Sequence, residues 1–159
     1  MIQQTLVLLK PDAVERGLVG QIIQRFENAG LKITAMKMVW IDRAFAKKHY
    51  EAHVGKPFYA GLEEFIISGP VVALVIEGIE AVELVRKMVG PTEPKSAAPG
   101  TIRGDFSHHS YKHADEKGIA IKNLIHASGN GEDAKREIPI WFKEKELHKY
   151  TATHEKHTH

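Results

Sequence analysis

Residues 70–77, PVVALVIE, are the strongest structural signal in the chain. The run is almost continuously apolar. A strand of that kind is stable only when both faces are covered, so it predicts the centre of a sheet with packed material on either side. Residues 5–9 (TLVLL) form a shorter apolar run ended by Lys10-Pro11-Asp12, which reads as a buried strand presenting a lysine at its end. Residues 31–41 (LKITAMKMVWI) alternate instead. Leu31, Ile33, Ala35 and Val39 then share one face, as in a half-buried strand.

The segments between these strands carry helical spacing. Leu18, Ile22, Ile23 and Phe26 fall on one side of a helix over residues 18–29, and Gly30 suits its C-terminal stop. Asp42 is placed to cap a helix running to about residue 52. A turn at residues 54–57 leads into a second helix over residues 58–67, packed beside the first. Residues 79–89 predict an amphipathic helix stopped by Gly90-Pro91. Residues 90–118 read as a long loop, of the kind that is either functional or disordered. Residues 119–126 (IAIKNLIH) predict the last strand, followed by a helix from about residue 132 that Pro139 ends. The polar tail, 150–159, is expected to be loosely ordered unless a partner holds it. The order β-α-β-(αα)-β-α-loop-β-α predicts an α+β fold. It is a ferredoxin-like antiparallel sheet sandwich (βαββαβ) with an inserted helical hairpin and a long loop before the last strand. One domain spans residues 1–150 and a His-rich tail spans 151–159.

Composition narrows the function. The 159 residues are 43% hydrophobic, which is material for one sizeable core. There is no cysteine, so disulfides, thiolate metal sites and thiol catalysis are excluded, in keeping with a cytoplasmic location. No apolar run reaches the roughly 20 residues of a membrane span, and the start, Met1-Ile2-Gln3-Gln4, has no basic region leading into an apolar one. Neither a membrane nor a nucleic acid is an expected partner, since the net charge is only +2. Ten histidines would take the charge to about +12 if all were protonated, so solubility and binding should change below about pH 6.5.

Several polar residues fall where elements end, which is where sites tend to be built. Lys10 closes the first strand, Arg86 lies in the last turn of a helix, Thr92 and Arg103 lie in the long loop, and Asn123 and His126 lie near the end of the last strand. Lys10, Arg86 and Arg103 together would suit phosphate groups, which need fixed cations with hydroxyl and amide donors. The chain has no GxxxxGK[ST] and no protein-kinase signature set, so phosphate chemistry here needs another device. His126 is the natural candidate, because neutral imidazole is a nucleophile near pH 7 without a metal. Taken singly, each of these residues is more often a solvated or locally satisfied side chain than part of a site.

Residues 5–14 (TLVLLKPDAV), His49-Tyr50, Lys56-Pro57-Phe58, residues 85–94 (VRKMVGPTEP), residues 99–106 (PGTIRGDF) and residues 123–128 (NLIHAS) occur in that order. Together they resemble the nucleoside diphosphate kinase family, over nearly the whole chain. The resemblance implies a ping-pong enzyme: ATP or another nucleoside triphosphate phosphorylates a histidine, and a nucleoside diphosphate collects the phosphoryl group. It implies His126 as the phosphohistidine, Lys10 and Arg103 as phosphate ligands, and Arg86 and Thr92 on the β-phosphate side. Asn123 and Lys10 would hold the ribose 3′-hydroxyl, Phe58 would stack on the base, Tyr50 would lie near the transferred group, and Glu137 would orient the histidine. Mg²⁺ would arrive on the nucleotide phosphates rather than on protein ligands, and the family assembles as homo-hexamers or homo-tetramers.

Two stretches depart from the family pattern. Ser128 is followed by Gly129 where the family usually has Asp, which removes a carboxylate beside the nucleophile and weakens the expected helix cap unless Asn130 or Asp133 substitutes. Residues 107–122 are longer than in the common short form and contain His108, His109 and His113, so the second wall of the base pocket does not carry over. A catalytically weak nucleotide-binding scaffold of the same fold is the competing reading. A nucleic-acid module of the RNA-recognition type needs a basic patch and sheet-face aromatics that the pattern does not offer. His49 and His53, four apart, read as a polar helix face. Trp40 and Trp141 read as packing residues, and His154, His157 and His159 as part of the solvated tail.

Overall fold

The computed structural model describes residues 1–158; His159, one of the tail histidines, lies outside the described residues. Four strands form one antiparallel sheet: β1 (Ile2–Leu9), β2 (Lys32–Val39), β3 (Val71–Ile79) and β4 (Ile125–Ala127), in the order β2-β3-β1-β4. That is the ferredoxin-like arrangement expected from the element order. The central pair β1 and β3 runs in register from Ile2 opposite Ile79 to Leu9 opposite Val72.

The apolar run that predicts a doubly covered strand is doubly covered. Val72, Leu74 and Ile76 of β3 pack with Val7 and Leu9 of β1 against α2 (Val19–Asn28) and α5 (Ala81–Val89), through Ile22, Phe26 and Val85. Val71, Ala73 and Val75 pack with Leu6 and Leu8 against α3 (Arg43–His49), α4 (Tyr59–Ile66) and α8 (Gly131–Trp141), through Ala46, Ile66 and Trp141. Burying each such large side chain stabilises the fold by roughly 1.5–3 kcal/mol. Asp42 caps α3 as expected, its side chain accepting from the Phe45 amide at 2.8 Å. Gly90, at φ +87°, ends α5 in a backbone conformation that side chains other than glycine's rarely allow.

Five local expectations are corrected. The alternation of β2 breaks at a bulge between Ile33 and Ala35. Leu31 and Ile33 therefore face the α2/α5 side, whereas Ala35 and Val39 face the α3/α4/α8 side, because one extra residue reverses every side chain beyond it. β1 does end before Lys10-Pro11-Asp12 as expected, and Pro11 then opens a short helix, α1 (Pro11–Glu15), where its missing N–H costs nothing. Pro139 sits inside α8 rather than ending it, on the exposed side of the helix, where water can serve the carbonyl its ring leaves unpaired.

The long loop is largely built. It contains a 3₁₀ turn (Pro94–Ser96), α6 (Ile102–Phe106) and α7 (Tyr111–Lys117), while the strand expected over residues 119–126 shrinks to Ile125–Ala127. The polar tail is docked as well. Lys32 Nζ donates to the Tyr150 carbonyl and to Glu155, both at 2.8 Å, the Tyr150 hydroxyl donates to the Ile33 carbonyl at 2.8 Å, and α9 (Glu155–Thr158) follows. The Tyr150 hydroxyl thereby serves the Ile33 carbonyl at the start of the edge strand β2.

Candidate active site

The carboxyl end of β1 and the short strand β4 deliver the first residues of the site. Lys10 follows β1 and is buried, with its Nζ 2.7 Å from Asn123 Oδ1. Asn123 Nδ2 in turn donates to the Thr92 carbonyl at 2.8 Å. The next residue, Leu124, has φ +69°, a left-handed conformation that costs a bulky side chain of order 1–3 kcal/mol. Three bonds hold it there. The Leu124 amide donates to Asp12 Oδ2 at 3.0 Å, the Lys10 amide donates to the Leu124 carbonyl at 2.8 Å, and the Arg103 Nε donates to the adjoining Asn123 carbonyl at 3.2 Å. Asp12 is therefore the clamp that turns Asn123 and His126 toward the same cavity. Its only sequence signal was its place directly after Lys10-Pro11.

His126 pairs with Leu8 across the β1/β4 ladder. Its Nε2 lies 3.1 Å from Glu137 Oε2, and the same oxygen accepts from Ser128 Oγ at 2.7 Å. A carboxylate can only accept, so Nε2 carries the hydrogen and Nδ1 keeps the free lone pair. Burial pushes Glu137 up, but the bonds from His126 and Ser128 outweigh it and hold the carboxyl near 2. Glu137 thus stays ionised. One turn of α8 places Arg136 3.5 Å from Glu137 and from Asp133, at the cavity rim.

A cavity of about 670 Å³ is lined by Lys10, Tyr50, Arg86, Thr92, Arg103, Asn123, His126 and Glu137, all of them expected from sequence. Phe58 is the exception. It lines an adjoining cavity of about 650 Å³ that shares Lys10, Thr92 and Asn123 with the first. The two together make one elongated cleft, polar at the His126 end and apolar at the Phe58 end.

The cations in it differ in availability. Arg103 is buried and donates to three backbone carbonyls: Asn123 at 3.2 Å, Gly90 at 3.0 Å and Ile125 at 2.5 Å. Burial, and next the charge of Arg86, lowers it to about 10, so it is a cation at neutral pH. Arg86 is exposed and has no protein partner among the described residues. Burial, and then the Arg103 charge, lowers Lys10 to about 8. The buried Tyr50 hydroxyl also lacks a protein partner, and burial followed by the nearby Glu137 charge pushes its ionisation up, so it remains an O–H donor.

His49 departs from its sequence reading, and at Gly129 the substitutes left open are in place. His49 is not part of a polar face: it is buried behind His126, with ring centroids 5.0 Å apart and planes at 89°. It accepts the Trp141 indole N–H on Nδ1 at 3.1 Å, and burial lowers it to about 3. A neutral histidine there places no positive charge beside His126. Gly129 leaves neither helix nor site open. Asn130 caps α8, accepting from the Asp133 amide at 2.9 Å, and a Cβ on Gly129 would stand only 2.6 Å from Asp133 Oδ2. The Asp133 carboxylate already fills that space beside the cleft. Gly129→Asp is therefore expected to bring no gain in activity and to cost about 1 kcal/mol through two facing carboxylates. Adding Asp133→Ala should recover that loss in a thermal melt. A melting temperature for the single variant at or above that of the unsubstituted protein would contradict this.

Comparison with known proteins bears on what such a cleft handles. Residues 3–147 match the family model described as nucleoside diphosphate kinase. A Pyrococcus furiosus nucleoside diphosphate kinase is 56% identical over 149 residues, covering 94% of this chain and 88% of that protein. A Borreliella burgdorferi nucleoside diphosphate kinase is 51% identical over 155 residues, covering 94% and 93%. Among solved structures, a transition-state mimic of the Borrelia burgdorferi enzyme with bound vanadate and ADP superposes with a TM-score of 0.94 at 51% identity, covering 97% of this chain and 95% of that one. A halophilic enzyme from Halobacterium salinarum in complex with CDP gives 0.89 at 40% identity, covering 100% and 99%.

Proposed function

The chain belongs to the nucleoside diphosphate kinase family and so transfers phosphoryl groups between nucleotides, and from that premise we propose that His126 carries the phosphoryl group between donor and acceptor. The observation that supports this most directly is the His126 Nε2 to Glu137 contact at 3.1 Å, in a cleft that holds Lys10, Arg86 and Arg103. Glu137 fixes the hydrogen on Nε2, so Nδ1 attacks the γ-phosphorus of a nucleoside triphosphate. The bond to the β,γ-bridging oxygen breaks as the N–P bond forms, and the nucleoside diphosphate leaves. A second nucleoside diphosphate then takes the phosphoryl group by the reverse displacement. In-line transfer of this kind depends on positioning and on cations facing the phosphoryl oxygens.

The remaining roles follow from availability. Arg86 and the Thr92 hydroxyl hold the β-phosphate, Lys10 and the spare N–H groups of Arg103 hold the oxygens of the transferred group, and Tyr50 donates its unpartnered hydroxyl there. Lys10 and Asn123 meet the 3′-hydroxyl, and Phe58, 56% exposed in the free protein, stacks on the base. The carboxylates at the His126 end of the cleft, Asp133 and Glu137, are engaged by His126, Ser128 and Arg136. Such a donor set suits a divalent ion held by phosphate oxygens rather than by protein. Mg²⁺ carried on the nucleotide would offset phosphate charge.

Lys10 gives the binding step a pH dependence. Its free-protein value lies near 8, so the cradle loses one positive charge as pH rises through 8. The bound phosphates favour the charged form and move that limb upward. kcat/KM is therefore expected to fall above about pH 8, with kcat falling only at higher pH, and Lys10→Arg should lack the limb. A kcat/KM profile flat to pH 10 would contradict the assignment.

Among the described residues no helix is long and apolar enough to cross a membrane; a cytoplasmic location is the reading that suits a chain without cysteine. Met36 and Met38 on the edge strand β2, and Trp40 just beyond it, stand 58–68% exposed. That stripe suits contact with another copy in a homo-tetramer or homo-hexamer, and sedimentation as a monomer would contradict it. The phosphoryl-transfer reading is tested by intact mass after brief incubation with ATP and Mg²⁺. An acid-labile gain of one phosphoryl group, discharged by GDP, supports it. Nucleotide binding without any gain would instead support the scaffold reading.

A further inference from the structure

The apolar end of the cleft is closed by the segment that departs from the family pattern. Residues 107–122 do not form a free surface loop. Ser110 Oγ caps α7, accepting from the His113 amide at 3.2 Å, and Gly118 at φ +62° ends it. The start of the segment is tied down by the Lys95 amide donating to the His109 carbonyl at 3.1 Å. Its end is tied by the Lys122 amide donating to His109 Nδ1 at 3.3 Å. Ala114 is buried, and the Ala120 backbone packs against Gly61 of α4, 3.6 Å from where a Cβ would stand. The segment is thus a second wall facing Phe58, held at both ends.

This wall carries one charge into the cleft. Ala114, Ile119, Ala120 and Ile121 make its surface apolar, and Asp115 lines the same cavity. Among the residues that line the Phe58 end and not the His126 end, Asp115 is the sole carboxylate. It forms no ion pair among the described residues, whereas its neighbour Glu116 faces Lys112 at 3.9 Å. Tyr111 of the same wall adds a hydroxyl, so Asp115 is the wall's one charge there, and a few placed polar groups in an apolar slot are how a pocket selects among ligands of similar shape.

We propose that Asp115 makes the base subsite guanine-selective, by accepting the paired N–H donors on the Watson–Crick edge of a guanine stacked on Phe58. A carboxylate only accepts, and two parallel N–H donors match its two oxygens. Guanine is the base that offers such a pair, at N1 and the 2-amino group. Hypoxanthine keeps N1–H but lacks the amino group, and adenine, cytosine and uracil present a single donor group on that edge. The inference rests on the nucleotide reading of the cleft, but concerns binding rather than transfer.

Calorimetric titration of the full chain with GDP, IDP and CDP, each with Mg²⁺, tests it without requiring turnover. GDP is expected to bind roughly 3–10-fold more tightly than IDP or CDP, a modest factor because the carboxylate is exposed. In Asp115→Ala that advantage should vanish while CDP binding stays within about twofold. Because Asp115 is exposed, the variant should melt with the unsubstituted protein. Equal affinities for GDP and IDP in the unsubstituted chain, or an undiminished GDP advantage in Asp115→Ala, would overturn the proposal. Failure of the transfer reading registers elsewhere, as the missing phosphoryl mass.

Discussion

His126→Ala should leave a folded, nucleotide-binding protein that takes up no phosphoryl group from ATP. Turnover is expected to fall by at least about 10⁴-fold, because removing a nucleophile abolishes the covalent route rather than weakening it. The stability cost is expected to be small, about 1 kcal/mol or less. The His126 side chain is 22% exposed, so its removal empties part of an open cleft rather than a sealed core. Glu137 keeps the Ser128 Oγ bond at 2.7 Å and the Arg136 contact at 3.5 Å, so the carboxylate is not left buried and alone. Intact mass with ATP and Mg²⁺ and a thermal melt on the same preparation separate the two effects. Retained turnover in this variant would sink the assignment of the nucleophile.

Arg103→Ala is expected to damage both chemistry and fold. The resemblance alone makes Arg103 a phosphate ligand, which would lower the transfer rate and spare the melting temperature. The geometry adds a structural duty, since three of its five N–H groups tie the Gly90, Asn123 and Ile125 carbonyls together. Alanine leaves those carbonyls without their partner and frees the left-handed turn at Leu124. A loss of roughly 3 kcal/mol follows from the missing charge-assisted bonds, equivalent to about 6–12 °C in a chain of this size. Arg103→Lys should recover little, because an ammonium cannot reach three carbonyls in the planar fork geometry. A variant that loses rate with an unchanged melting temperature would show that the carbonyl network is dispensable.

Both outcomes bear on how much of the site was legible in the residues. Eight of the nine expected positions line the His126 cavity, and Phe58 lines its extension. They were readable because they stand in ordered blocks of several residues. What the blocks did not convey is the division of labour. Arg103 and Arg86 look alike in sequence, yet one is committed to backbone and the other is free. Asp12 and His49 stood inside those blocks without a role of their own and Arg136 stood outside them, since each acts through a neighbour brought close by packing.

The sequence by itself determined the central strand at residues 70–77, the helix read from Leu18, Ile22 and Phe26, the stop at Gly90, and the order of the four strands and the helices between the first three. Those follow from side-chain periodicity and turn chemistry, which act over a few residues. Only the tertiary structure decided the rest. The bulge at Ile33 and Ala35 reversed a face that strict alternation had assigned, because register is set by the partner strand. Asp12 holds Leu124 in a conformation leucine does not choose alone, across 112 positions of chain. Docking against α4 turned residues 107–122 from an apparent loop into a wall. Each of these depends on groups far apart in sequence meeting in a dry interior, where an unpaired polar group is costly. No local pattern encodes such a meeting.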